Sequence, residues 1–222
     1  VSRLIHCSTA AVAGRVADDL VDEKTRSQPV TDYGLTKLKI EQDIIDASKG
    51  AFEAIVLRPT AVFGISGEPL KKLAADLGRG NRWKNYLKSC LFGRRRMNLV
   101  HVANVVAAFV FLISNTRRLE GEIFIVSDDD DPRNNFVDVE EFLMDALGVK
   151  KYSLPRLPLP LTLLKWLLLS LGRNNVNPRC DFDPGRLRRL GFNSPVSLCE
   201  GLAEYAAWYR AAQLGEKGRK PS

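Results

Sequence analysis

Residues 32–64 read DYGLTKLKIEQDIIDASKGAFEAIVLRPTAVFG, and their two periodicities decide the architecture. From Asp32 to Lys49, the residues Leu35, Leu38, Ile44 and Ile45 fall near a 3.6-residue period. Gly50 stands just past them, the pattern of an amphipathic helix with a glycine stop. Ala54 to Leu57 is then an unbroken apolar run ending at Arg58-Pro59, which is what a strand covered on both faces of a sheet requires. A helix feeding such a strand is half of a βαβ unit.

The same alternation continues outward. Arg3 to Cys7 reads as the strand before the helix. After Pro69, pre-organised for a first helical turn, a helix is predicted over Leu70 to Leu77, followed by a basic loop. Asn98 to Val102 reads as a short strand, Asn104 as the cap of a helix from Val105 to Ser114, and Glu122 to Val126 as a further strand. Val137 to Leu147 is an amphipathic helix stopped by Gly148. Asp183-Pro184 opens a short helix through Leu190, and Ser197 with Glu200 three residues on is a capping box for a last helix to about Arg210. Strands alternating with helices predict an α/β fold with a parallel sheet.

With 222 residues, 45% hydrophobic and 27% charged, the chain has the usage of a globular protein, which excludes disorder, collagen and coiled coil as whole-chain readings. Cys7, Cys90, Cys180 and Cys199 show no CxxC pair and read as reduced thiols of a cytoplasmic protein. The first methionine is Met97 and the chain opens in a strand, so it reads as a piece of a longer protein. The longest apolar stretch, Leu157 to Leu171, is too short to span a bilayer. It is expected as a buried helix, with membrane-surface contact as the alternative.

The net charge of +7 is unevenly spread: no Asp or Glu occurs from Leu77 to Leu119, a window that holds Arg94, Arg95 and Arg96 among its cations. A solvated basic face and a site for a phosphorylated small molecule both fit it, whereas a nucleic-acid module spreads its cations over a whole face or motif. Asp128 to Asp131 reads as a solvated turn without metal-ligand spacing, and His6 and His101 belong to no zinc pattern.

Tyr33 and Lys37 lie four apart, on one face of the predicted helix. Ser8-Thr9 stands at the carboxyl end of the first strand, with Gly14 five residues on, and carboxyl ends of parallel strands are where open α/β sheets bind ligands. A phenol whose anion is stabilised by an adjacent ammonium is a usable base near neutrality, and a neighbouring threonine hydroxyl can orient a substrate hydroxyl.

Strand-Ser8-Thr9-x-x-Val12-x-Gly14, then Tyr33-x-x-x-Lys37, then Arg58-Pro59-x-x-Val62-Phe63-Gly64 resembles the extended short-chain dehydrogenase/reductases of the NAD-dependent epimerase/dehydratase family. Asn98-Leu-Val-His101, Asp183-Pro-Gly-Arg-Leu and Ser197 through Trp208-Tyr209 agree with it, so that the likeness covers about Val1 to Tyr209. The resemblance implies a catalytic triad of Thr9, Tyr33 and Lys37. It implies NAD as cofactor, NADP being the alternative, contacted by Ser8, Tyr33, Lys37, Pro59 and Val62. It also implies a nucleoside-diphosphate sugar held by Thr9, Arg95 and Arg96. The expected activity is epimerisation by transient oxidation, in surface-polysaccharide or nucleotide-sugar biosynthesis. A sugar reductase or dehydratase, a hydroxysteroid-type dehydrogenase and an inactive dinucleotide-binding relative stay open, and a homodimer is compatible with the resemblance.

Departures from the family pattern bear on the substrate. Ala10 and Ala11 stand where the 4,6-dehydratases carry an acid pair, which disfavours dehydration; Ala61 replaces an Asn, and Met97 a diphosphate-binding Arg. The family's Gly-x-x-Gly-x-x-Gly turn is absent from the sequence, and Gly64-Ile-Ser-Gly67 reads as a substrate loop instead. The expected fold is therefore the carboxyl-terminal part of a Rossmann-like parallel sheet with a smaller α/β substrate-binding domain. Residues 1–64 would be the second half of the NAD-binding domain, 65–214 mainly the substrate domain with segments returning to the sheet, and 215–222 a disordered tail. On this reading the chain by itself is inactive.

Overall fold

The computed structural model describes residues 2–157, 160–170 and 177–218. Along the chain, β1 (Arg3–Cys7) leads through a 3₁₀ turn (Ala10–Ala13) and β2 (Leu20–Val21) to α1 (Asp32–Ser48), β3 (Glu53–Pro59) and β4 (Ala61–Phe63). There follow α2 (Glu68–Arg79), α3 (Arg82–Phe92), β5 (Leu99–His101), α4 (Val102–Ser114), β6 (Glu122–Val126) and α5 (Phe136–Ala146). The chain closes with α6 (Leu161–Ser170), β7 (Asp181–Phe182), α7 (Gly185–Arg189) and α8 (Leu198–Gly218).

β3 is the centre of a parallel sheet in the order β1-β3-β6, with Ile5 opposite Ile55 on one side and Leu57 opposite Phe124 on the other. Its residues from Ala54 to Pro59 are all buried because both faces are covered. Alternate side chains of a strand point to opposite faces. Ile55 and Leu57 accordingly pack with Val105, Ala108 and Leu112 of α4, while Arg58 turns to the other face and meets Glu41 of α1. The outer edge of β6 is closed by a side chain: Glu23 Oε1 accepts from Ile125 N at 3.0 Å, which occupies a strand donor that would otherwise be open to another chain.

β4 and β5 make a separate parallel pair, and β2 pairs with β7. A second core gathers Phe63, Leu70, Leu99, Leu143, Leu202 and Tyr205 from β4, α2, β5, α5 and α8. The capping box at the start of α8 is formed as expected: Ser197 N donates to Glu200 Oε2 at 2.9 Å and Glu200 N to Ser197 Oγ at 3.3 Å.

Several local expectations are corrected. The segment expected as a basic loop is largely helix α3, because Asn81 Oδ1 accepts from Trp83 N and Lys84 N and so supplies an N-cap. Asn104 does not cap α4; it lies inside the first turn, and its amide donates to Asp128 and to the carbonyl of Val196. The last helix passes Arg210 and runs to Gly218, so residues 215–218 are helical; 219–222 lie outside the described residues. The apolar stretch from Leu157 to Leu171 is not uniformly buried. Leu164 is fully enclosed, but Trp166 and Leu157 are exposed; positions 158, 159 and 171 lie outside the described residues.

Candidate active site

The site is built where β1 ends. Ser8 N donates to Leu57 O at 2.8 Å, which carries the ladder one residue past β1 and leaves Thr9 to start the 3₁₀ turn, its Oγ1 accepting from Ala11 N at 3.2 Å. The chain then returns to pair in parallel with itself. Gln28 N donates to Ala13 O and Arg15 N to Gln28 O, each at 2.9 Å, so that Thr31, the cap of α1, lies beside that turn. Gly14 sits at φ 64° in this parallel bridge to Gln28, and a Cβ there would stand 1.8 Å from Gln28 O. Only glycine permits the approach. Gly34, whose Cβ would lie 3.1 Å from Ala11 O, lets the first turn of α1 close on the same segment.

Tyr33, Lys37 and Glu41 follow one another at intervals of four along α1. Lys37 Nζ donates to the carbonyl of Cys7, the last residue of β1, at 3.1 Å, and Tyr33 one turn earlier is exposed at the mouth of the sheet. Glu41 is 1% exposed and takes Arg58 in a two-pronged ion pair at 3.0 and 2.6 Å. Helix α1 is thereby fixed to the sheet at two successive positions of one stripe, and its rotation is set with Lys37 under the strand end. Neither Glu41 nor Arg58 was singled out from the sequence as a site residue. The available signal was an arginine inside an apolar strand and a glutamate two turns after Tyr33. His6 on β1 is pushed below its ordinary value by partial burial and by the Lys37 cation.

Ser8 is buried, and its Oγ has no hydrogen-bond partner among the described residues. A buried hydroxyl left without a partner is costly, and a polar ligand at the strand end would satisfy it. Pro59 is buried at the end of β3, and Val62 is half-buried on β4.

Two cavities meet at the segment 95–98. One, of about 290 Å³, is walled by Ala10, Ala11 and Gly14 on one side and by Arg95, Arg96 and Asn98 on the other. The second, of about 400 Å³, runs on between α2, α3 and α5 past Lys72, Lys88 and Phe92. Thr31 lines the first cavity, whereas Thr9 and Tyr33 stand next to it rather than on its wall. No carboxylate borders this first cavity among the described residues.

Arg95 and Arg96 differ in environment although they are neighbours. Arg96 is held inside: its guanidinium pairs with Asp181 and donates to the carbonyl of Asp129, and its backbone N donates to Pro178 O at 2.9 Å. Arg95 lies over the ring of Phe92, 5.7 Å from its centroid, and borders both cavities.

Asp128 and Asp129 are not a solvated turn but a buried scaffold for this segment. The Asp129 carboxylate accepts from Asn98 Nδ2 at 2.7 Å, Phe182 N at 2.9 Å and Asn134 Nδ2 at 3.0 Å. Burial nevertheless pushes it up to about 7, against those donors and Arg96. Burial raises Asp128 and Glu140 as well. A carboxyl whose value is raised on folding stabilises the fold most below its unfolded value of about 4, and loses that contribution as the pH rises through the folded value. The urea midpoint is therefore expected to fall between about pH 4 and pH 7, and Asp129→Asn to flatten that slope. An unchanged slope in the variant would show that Asp129 is not the group responsible.

Residues 1–127 match the family model described as the NAD dependent epimerase/dehydratase family. The chain is 27% identical over 124 residues to a 2'-dehydrokanamycin reductase of Streptomyces kanamyceticus, across 53% of this chain and 34% of that one. It is 25% identical over 218 residues to a dTDP-D-glucose 4,6-dehydratase of Mus musculus, across 95% of this chain and 56% of that one. The chain thus spans about a third and about half the length of these two relatives. Its fold is similar to that of a UDP-glucuronic acid 4-epimerase from Bacillus cereus solved in complex with NAD, with a TM-score of 0.67 at 18% identity over 95% of this chain and 62% of that one.

Proposed function

We propose, from the premise that this chain belongs to the NAD dependent epimerase/dehydratase family, that it carries the nicotinamide-side and substrate-side residues of an NAD-dependent epimerase acting on a nucleoside-diphosphate sugar. The observation that carries the proposal is the bond from Lys37 Nζ to Cys7 O, which joins the Tyr33-Lys37 stripe to the strand end where Ser8 and Thr9 follow. On this reading residues 1–64 are the second half of the dinucleotide domain, and most of 65–214 serves the substrate.

What supports a fit to the nicotinamide end of a dinucleotide is the unpartnered Ser8 hydroxyl and the Lys37 ammonium at the end of β1, with Tyr33 one turn before Lys37 on α1; Pro59 and Val62 would supply apolar walls. When bound, that cofactor supplies the acceptor and donor of a hydride at the sugar carbon. Tyr33 takes the proton of the sugar hydroxyl and later returns it. Lys37 stabilises the tyrosinate and binds the ribose, while Thr9 orients the hydroxyl. The diphosphate lies against Arg95, between the two cavities, and the nucleoside extends toward Lys72 and Phe92. Ala10 and Ala11, standing where the 4,6-dehydratases carry an acid pair, favour epimerisation over dehydration, which needs a general acid and base for loss of water. The reaction is placed in the cytoplasm.

Full-length protein incubated with NAD and a panel of UDP- and dTDP-hexoses should form an epimeric sugar with no net absorbance of reduced cofactor. Accumulation of a 4-keto sugar would assign a dehydratase, and stoichiometric cofactor reduction a dehydrogenase. The two arginines separate binding from scaffold. Arg95→Ala is expected to raise KM by roughly 10- to 100-fold, the scale of a lost charged hydrogen bond. Arg96→Ala is expected to lower the melting temperature, because Asp181 and the Asp129 carbonyl lose their partner. Unchanged KM in the first variant would remove Arg95 from the substrate site.

A further inference from the structure

Away from these cavities, one face of the molecule is aromatic and basic at once. α3 carries Trp83 and Leu87, four residues apart and so on one side of the helix, 65% and 61% exposed. Tyr86 stands edge-on to Trp83 and to Tyr152, at 6.0 and 5.5 Å between ring centroids, and Arg82 lies over the Tyr152 ring at 5.8 Å. With Leu154 these side chains line an open cleft of about 340 Å³. α6 packs against α3; it buries Leu164 completely and presents Trp166 at 71% exposure, while Leu157 just before it is 74% exposed.

The charge of this face is positive. Arg82 donates to the backbone carbonyls of Lys150 and Lys151, so no carboxylate neutralises it there, and Lys84 and Lys150 are exposed without a paired carboxylate among the described residues. The nearby acids are already engaged, Asp145 with Lys151, Glu141 with Arg156 and Asp76 with Lys88. No Asp or Glu occurs from Leu77 to Leu119, which includes the whole of α3.

The geometry points to the α3–α6 face as a docking surface for an anionic lipid bilayer. Tryptophan and tyrosine, each with an apolar body and one polar tip, are the side chains that settle at a membrane–water interface, and lysines and arginines at the rim are drawn to anionic headgroups. A second copy of this chain is a poorer occupant. A two-fold contact would set Arg82, Lys84 and Lys150 against the same cations of the partner, and like charges brought together oppose association. No helix among the described residues is long and apolar enough to cross a membrane, so the contact lies in the plane of the surface. Docking is independent of the chemistry at Tyr33.

The test uses the full-length protein in flotation with vesicles of phosphatidylcholine alone and of phosphatidylcholine mixed with phosphatidylglycerol. Expected is binding to the anionic vesicles only, with a blue shift of tryptophan emission and quenching by brominated lipid. The double variant Trp83→Ser/Trp166→Ser is expected to lower partitioning by about tenfold or more, with Trp208 left as an internal emission control, and its melting temperature should stay unchanged because both positions are exposed. Lys84→Glu is expected to weaken binding about tenfold. Protein that stays soluble with both vesicle types would overturn the proposal, as would equal binding by the double variant. So would a dimer in sedimentation that the double variant dissolves.

Discussion

Replacing Tyr33 by phenylalanine is expected to lower kcat by about 10²- to 10⁴-fold in the full-length protein, the range for loss of a general base, while dinucleotide affinity stays nearly constant. The residue is 57% exposed, so the variant should fold as the parent does. The result separates chemistry from architecture, because only the phenolic oxygen is removed. Lys37→Met provides the companion measurement. It removes the cation beside Tyr33 and the bond to Cys7 O, and is expected to reduce kcat and weaken cofactor binding together. Turnover within a few-fold of the parent in Tyr33→Phe would take this residue out of the mechanism, whatever the fate of the epimerase assignment.

The largest effect on stability is expected at Glu41. Its carboxylate and the Arg58 guanidinium are 2% and 7% exposed and meet through two hydrogen bonds. Glu41→Ala leaves a buried guanidinium without a counter-charge and is expected to cost about 3–5 kcal/mol, read from the urea midpoint. Replacing both by leucine should recover most of that loss, because a well-packed apolar pair often matches a buried ion pair in stability. The double variant has a second use. If the pair sets the rotation of α1, the recovered protein should still show impaired turnover, since Lys37 is no longer held beneath Cys7. Full activity in a stable double variant would show that packing alone positions the helix.

Much of the parallel framework was readable without coordinates, because its signals are local. The 3.6-residue spacing of α1, the unbroken apolar run of β3 and the reciprocal Ser197–Glu200 cap each depend on residues a few positions apart. The Tyr33–Lys37 spacing belongs to the same class, since two residues four apart on a helix share a face in any fold. α3 was missed because its composition is basic, and what makes it a helix is one cap residue, Asn81, together with a face that buries Asn85 and Ser89.

Other features had no local signature. Asp128 and Asp129 look like solvated turn residues until Asn98, Asn104, Asn134 and Phe182, from four separate segments, are brought to their oxygens. Arg95 and Arg96 are indistinguishable along the chain and both border the two cavities, yet Arg95 lies over the Phe92 ring while Arg96 is committed to Asp181. By itself the sequence determined the helices and strands of the sheet and the spacing of the residues that bear on chemistry, because hydrophobic periodicity and capping act within a turn or a strand. Only the tertiary structure decided which charges are enclosed, which arginine is committed to an ion pair and which tryptophans face outward, because burial is set by partners tens of residues away.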